Sequence, residues 1–285
     1  MSPRVALLGL GTMGAGMAHN ILEAGLELSV WNRSADKAAP LGEAGATVAS
    51  TPAEAVEGAD VVVTMLFDTA SVLEVMTQAA SSLGDDAVWV QTSTLGVDGT
   101  DAVAAVAAER GVAFVDAPVL GTKGPAESGN LVVLASGEES LQARVAPVLD
   151  AIGSRTLWVG PVGSASRLKL VCNAWVLTVV GGIGQSVAMA EAFGLEPQQF
   201  LDAIGGGAMD APYVAMKTKA IVAGDFDPQF AIDGGLKDAG LIADAARQAG
   251  LDPRLMDALR HELQVASDAG HGDKDLAATY LAAKA

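Results

Sequence analysis

The chain has 285 residues, 51% hydrophobic and 18% charged, which is enough apolar material for a packed core and excludes a disordered chain. Its 17 Lys and Arg stand against 34 Asp and Glu, and the net charge of -17 argues against nucleic acid or an anionic membrane as partner, because both need a basic face. A single cysteine, Cys172, excludes an internal disulfide framework and a Cys-based zinc site; the run Val5-Ala6-Leu7-Leu8 is too short for a secretory core, so the expected compartment is the cytoplasm.

In chain order, β-branched runs predict strands at 4–9, 27–31, 61–66, 88–92, 112–117 and 131–135, with helical stretches at 14–24, 53–57, 70–79 and 97–110 between them. Strands alternating with helices imply βαβ units and a parallel sheet covered on both faces, a Rossmann-type doubly wound α/β domain. Residues 153–163 are Gly-rich and fit no long helix, and beyond about 160 no strand is predicted. Helices follow at 164–193, 197–204, 211–223, 234–249, 253–269 and 273–283, with Pro197, Pro212 and Pro253 near three of their starts, where a missing N–H costs nothing. The expected division is therefore 1–162 for nucleotide binding and 163–285 for an all-helical substrate and oligomerisation domain. The stretch 168–195 has the length of a membrane span, but Lys169, Asn173, Gln185 and Glu191 interrupt it. It reads as a buried helix between the domains and part of a subunit interface, implying a homodimer or homotetramer.

The first strand runs into Gly9-Leu10-Gly11-Thr12-Met13-Gly14, the spacing G-x-G-x-x-G at the opening of a helix. Gly9 allows the tight turn, Gly11 the approach of backbone N–H groups to a pyrophosphate, and Gly14 close helix–strand packing. An acidic residue at the end of the second strand would hydrogen-bond the ribose 2′-OH of NAD. The chain instead reads Trp31-Asn32-Arg33-Ser34, and Arg33 with Ser34 suits a 2′-phosphate, so NADP(H) is expected with NAD(H) possible. The other reading of Arg33 is a surface charge stacked on adenine. Leu66 and Phe67 after the third predicted strand, and Ser93 and Thr94 after the fourth, should form a second wall for cofactor or substrate; the two hydroxyls could equally cap the next helix. In the second half, Lys169 and Asn173 lie four apart on one helix face. Among Leu168, Leu170 and Val171 that lysine is either desolvated toward proton transfer or snorkels to the surface. His19, His261 and His271 lack ligand spacing, so no metal is expected. Trp175 and Cys172 read as packing residues, and Asp273 and Asp275 as caps of the last helix.

Four segments in register carry a resemblance: Gly9 to Gly14, Asp116-Ala117-Pro118-Val119 with Gly121 and Gly129, Gly163 to Asn173, and Lys237-Asp238 with Gly272-Asp273-Lys274-Asp275. The chain resembles, essentially end to end, the β-hydroxyacid dehydrogenase family related to 3-hydroxyisobutyrate dehydrogenase. Within it the chain is most similar to the NADPH-dependent glyoxylate and succinic semialdehyde reductases, through Val30-Trp31-Asn32-Arg33, residues 121–127, Lys169 to Asn173, and Gly207-Ala208-Met209. The resemblance implies a 6-phosphogluconate dehydrogenase-like fold and an NADPH-dependent reductase of small aldehydes or keto acids, reversible toward hydroxy acids. It implies Lys169 as general acid and Asn173 as its partner on the carbonyl oxygen. Gly121, Thr122 and Lys123 would hold a substrate carboxylate, Lys237 would reach the cofactor, and Asp238 and Phe230 would line the substrate site. Leu120 departs from the serine usual in the family, removing a hydroxyl from the carboxylate subsite. Alternatives are a 3-hydroxyisobutyrate-type dehydrogenase working oxidatively and a catalytically silent cofactor-binding scaffold; imine reductases share the fold but generally lack the lysine.

Overall fold

A computed structural model describes residues 2–284, which divide into two compact units, Met1–Lys169 and Leu170–Ala285. In the first unit the strands β1 (Arg4–Leu8), β2 (Glu27–Trp31), β3 (Thr47–Val48), β4 (Val61–Thr64), β5 (Val88–Gln91), β6 (Ala113–Asp116), β7 (Val119–Leu120), β8 (Leu131–Gly137) and β9 (Gly153–Trp158) form one sheet. Its order is β3-β2-β1-β4-β5-β6-β8-β7, with β9 paired to β8. Helices α1 (Gly14–Glu23), α2 (Ala39–Glu43), α3 (Pro52–Val56), α4 (Thr69–Ala79), α5 (Gly96–Glu109), α6 (Lys123–Glu127) and α7 (Gln142–Ile152) connect the strands.

Because successive side chains of a strand point to opposite faces, the unbroken apolar runs of β1, β4 and β5 require cover on both. Val5, Leu7, Val61 and Val63 pack with Met17 and Ile21 of α1 and Val145 and Leu149 of α7. Ala6, Leu8, Val62 and Trp89 pack on the other face with Val56, Val72, Met76 and Val103 of α3 to α5. Strands β1 to β6 pair in parallel, and their order reverses between β1 and β4, the switch point at which open α/β sheets hold ligands beyond the carboxyl ends. The far edge corrects the all-parallel expectation: β8 runs antiparallel to β6 and β7, since the short α6 segment is no crossover of the length a parallel neighbour needs.

In the second unit, helix α8 (Ser164–Ala192), which begins in the first, is followed by α9 (Pro197–Ile204), α10 (Pro212–Ala223), α11 (Ile232–Gln248) and α12 (Arg254–Ala266). A π-turn at Ser267–His271 and a 3-10 segment at Leu276–Lys284 close it, where a single last helix was expected at 273–283. Ile183, Val187, Val214, Ile221, Ala277 and Tyr280 form a core of their own. Among the described residues α8 is the one helix long and apolar enough to cross a membrane. It is not uniformly buried as its composition suggested. Val171, Trp175 and Met189 lie on one open stripe, with Trp175 68% exposed, so among the described residues nothing covers this tryptophan.

Candidate active site

The cofactor cradle forms at the carboxyl end of β1. Gly9 has a φ of 108°, and a side chain there would strike the carbonyl of Met65 at the end of β4; one at Gly14 would strike Gly9 itself. Gly11, by contrast, faces open space, with nothing within 4 Å of where a Cβ would sit. Helix α1 starts at that opening with Met13 as its N-cap, no side-chain cap and no acidic residue in the first turn, so no side chain there opposes a ligand anion. The residues present therefore fit a dinucleotide pyrophosphate.

Asn32 does not point away from this loop. Its Oδ1 accepts from the Leu10 N–H at 2.9 Å and its Nδ2 donates to Ser34 O at 3.0 Å, so it shapes the cradle from behind. Arg33 and Ser34 are exposed beside it with no carboxylate in the β2 terminus. On the second wall, Ser93 Oγ accepts from the Leu66 N–H at 2.8 Å, and Phe67 is exposed. Helix α5 takes Leu95 as its N-cap, without a side-chain bond.

Lys169 is also in the first unit, 8% exposed on the second turn of α8, and its Nζ donates to the carbonyl of Val119 at 2.8 Å. That bond places the ammonium on β7, next to Leu120 and the Gly121-Thr122-Lys123 turn into α6. Gly121 has a φ of 129°, with Leu131 and Pro125 where a side chain would lie. The lysine does not snorkel: its polar end is held inside.

In the second unit Asn173 Nδ2 donates to Asp238 Oδ2 at 2.6 Å, and Lys237 Nζ lies 3.0 Å from Oδ1, an ion pair outside hydrogen-bond alignment. Asp238 thus joins Asn173 to Lys237. Phe230 lies against Gly234, on a segment whose Gln229 and Phe230 amides donate to Asp275 at 3.1 and 3.2 Å. Asp275 caps the last segment through the Ala277 amide, as expected, and also pairs with buried Lys217 at 2.6 Å.

Several residues that hold this machinery were not singled out by sequence. Asn20 of α1 donates to Ala126 O of α6 at 2.6 Å, tying the cofactor helix to the turn that carries Lys123. Gln91 clamps Ser93 through both its amide atoms, at 2.7 and 2.8 Å. Asp116, quoted only within a motif, ends β6 wholly buried and accepts from Ser166 and Ser136. Burial pushes its carboxyl above the ordinary range, opposed by hydrogen bonds from Ser166, Ser136 and the Gly163 amide.

Residues 4–160 match the NAD binding domain of 6-phosphogluconate dehydrogenase, and residues 163–282 the NAD-binding region of NADP-dependent 3-hydroxyisobutyrate dehydrogenase. Fold and cradle together define an NAD(P)-dependent oxidoreductase. The chloroplastic glyoxylate/succinic semialdehyde reductase 2 of Arabidopsis thaliana is 29% identical over 99% of this chain and 79% of its own length. A 3-hydroxyisobutyrate dehydrogenase from Salmonella typhimurium superposes with a TM-score of 0.89 at 27% identity, covering 98% of this chain and 99% of that one. The Mycobacterium tuberculosis enzyme of the same name, solved with L-serine, gives 0.89 at 28% over 100% of both chains. The chain belongs to the β-hydroxyacid dehydrogenase family.

Proposed function

We propose that this chain is an NADPH-dependent reductase of small aldehydes or keto acids, reversible toward the hydroxy acid, with Lys169 as the proton donor. The buried ammonium of Lys169, held on Val119 O at 2.8 Å, carries the reading. Reduction adds a hydride to the carbonyl carbon and a proton to its oxygen. Bound NADPH supplies the hydride. Lys169 gives its proton to the developing alkoxide and is left neutral until it takes one back. The α1 N-terminus and Gly11 would hold the pyrophosphate and Arg33 and Ser34 the 2′-phosphate, and the family resemblance gives Asn173 and Asp238 to the substrate. Run in reverse, neutral Lys169 would take the hydroxyl proton of the hydroxy acid while its hydride passes to NADP+.

Leu120 offers no hydroxyl to a substrate carboxylate, so the preferred substrate carries an apolar group there, with Thr122 and Lys123 left for any anion. The test is a panel of aldehydes with and without a carboxylate, assayed with NADPH and NADH in parallel. Lys169→Ala should lose about 10²–10⁴-fold in turnover while keeping NADPH affinity. Leu120→Ser should favour carboxylated aldehydes by about tenfold, the worth of one hydrogen bond to a charged acceptor. Turnover that survives Lys169→Ala sinks the assignment. The open stripe of Val171, Trp175 and Met189 supports a homodimer or homotetramer that covers it. Sedimentation of Trp175→Glu should show a smaller species than the wild type, and an unchanged one removes this face from the interface.

A further inference from the structure

Asp116 is wholly buried. Among the described residues no lysine or arginine pairs with it; every partner is a hydroxyl or an amide. Ser166 donates twice, its N–H to Oδ2 at 2.9 Å and its hydroxyl to Oδ1 at 2.7 Å. Ser136 of β8 donates to Oδ2 at 3.1 Å and itself accepts from the Ala165 N–H at 3.1 Å. Behind them, Thr100 of α5 donates to Ser166 Oγ at 2.9 Å, and the Gly163 amide also bonds the carboxyl. The amides of residues 163, 165 and 166 open α8, and opening amides have no acceptor within their own helix. Here the sheet supplies the acceptors. Lys169 follows Ser166 by three residues on the same rigid element, so an axial slip or rotation of that first turn moves its ammonium off Val119.

We propose that Asp116 is a positioning residue for the reduction: it fastens the first turn of α8 to β6 and β8 and thereby sets where Lys169 presents its proton. The inference rests on the reading of Lys169 as proton donor, and its logic is that misplacement of about 1 Å costs about 10²-fold in rate.

The experiment compares wild type, Asp116→Asn, Ser166→Ala and Thr100→Val. Asp116→Asn turns an NH₂ toward groups that must donate, Ser166→Ala removes one of Asp116's donors, and Thr100→Val loosens only the outermost link. Aldehyde turnover should fall in that order, by about 10- to 100-fold for Asp116→Asn, with NADPH affinity within about twofold of wild type. The alkaline limb of the kcat profile should move in Asp116→Asn, which a merely structural anchor would not do, and amide exchange in 163–170 should accelerate. A folded Asp116→Asn with wild-type kcat and an unmoved alkaline limb overturns the proposal. Should that variant not fold, a Ser166→Ala equal to wild type in kcat overturns it instead. Exchange reads the fastening separately from the chemistry. Turnover that survives Lys169→Ala would strike the proton-donor reading, whereas unchanged exchange at 163–170 in Asp116→Asn strikes this one.

Discussion

Asp116 in the first unit and Asp275 in the second are both removed from water, at 0% and 2% exposure, and both fasten a segment that carries predicted site residues. Their partners differ. Asp116 is met only by hydroxyls and helix-opening amides, whereas Asp275 is met by the Lys217 ammonium at 2.6 Å, with three amides completing its shell. Lys217 is itself 3% exposed and sits 5.4 Å from the centre of the Tyr213 ring. A carboxylate held by dipoles alone keeps some desolvation cost, visible in the raised pKa of Asp116. A carboxylate held by a buried cation instead ties its stability to a single partner.

Lys217→Met should be the most damaging change to that contrast. It leaves Asp275 buried and uncompensated, at a cost of about 3–5 kcal/mol in urea unfolding, and the double change with Asp275→Asn should recover part of it. A loss below about 1 kcal/mol would mean the three amides suffice, and the two acids would be alike. The second prediction concerns pH. Because burial raises Asp116, the folded protein holds its proton more tightly than the unfolded chain. The stability this contributes is complete below the unfolded value of about 3.9 and is lost as pH rises through the folded-state value. The margin of wild type over Asp116→Asn in unfolding midpoint should therefore shrink as pH rises through that window; a growing margin would show the hydrogen bonds outweighing burial. The smallest effect belongs to Tyr213, whose buried hydroxyl has no hydrogen-bond partner among the described residues and whose ionisation is pushed up by burial and then by the Asp275 charge. Tyr213→Phe should be neutral or stabilising by about 1 kcal/mol or less in thermal unfolding. A clear destabilisation would point to a partner the phenol does have.

What was legible in the sequence follows the range of the forces involved. The cradle was readable because turn, glycines and helix start are contiguous, and the six principal strands because each is a short apolar run, buried on both faces in β4 and β5. β3 and β7 were missed because two residues show no period. β9 was missed because Gly153, Arg155 and Thr156 look like loop, and what makes them a strand is pairing with β8. Lys169 and Asn173 announced themselves by their spacing of four, but the bond that holds the lysine spans 50 residues to Val119, and the one from Ser166 to Asp116 spans the same distance. Lys217 stands in Met216-Lys217-Thr218-Lys219, where nothing local separates a buried lysine from a solvated one.

That α8 opens in one unit and continues in the other bears on how such chains can be cut and recombined. A fragment ending at 160, where the nucleotide-binding match stops, would keep all nine strands yet take from Asp116 the amide and hydroxyl of Ser166 and the Gly163 amide. The first unit is complete only with residues 163–169 attached. A chimera that grafts another relative's helical unit onto this sheet must therefore join inside α8, beyond Lys169, at a helical register both parents share.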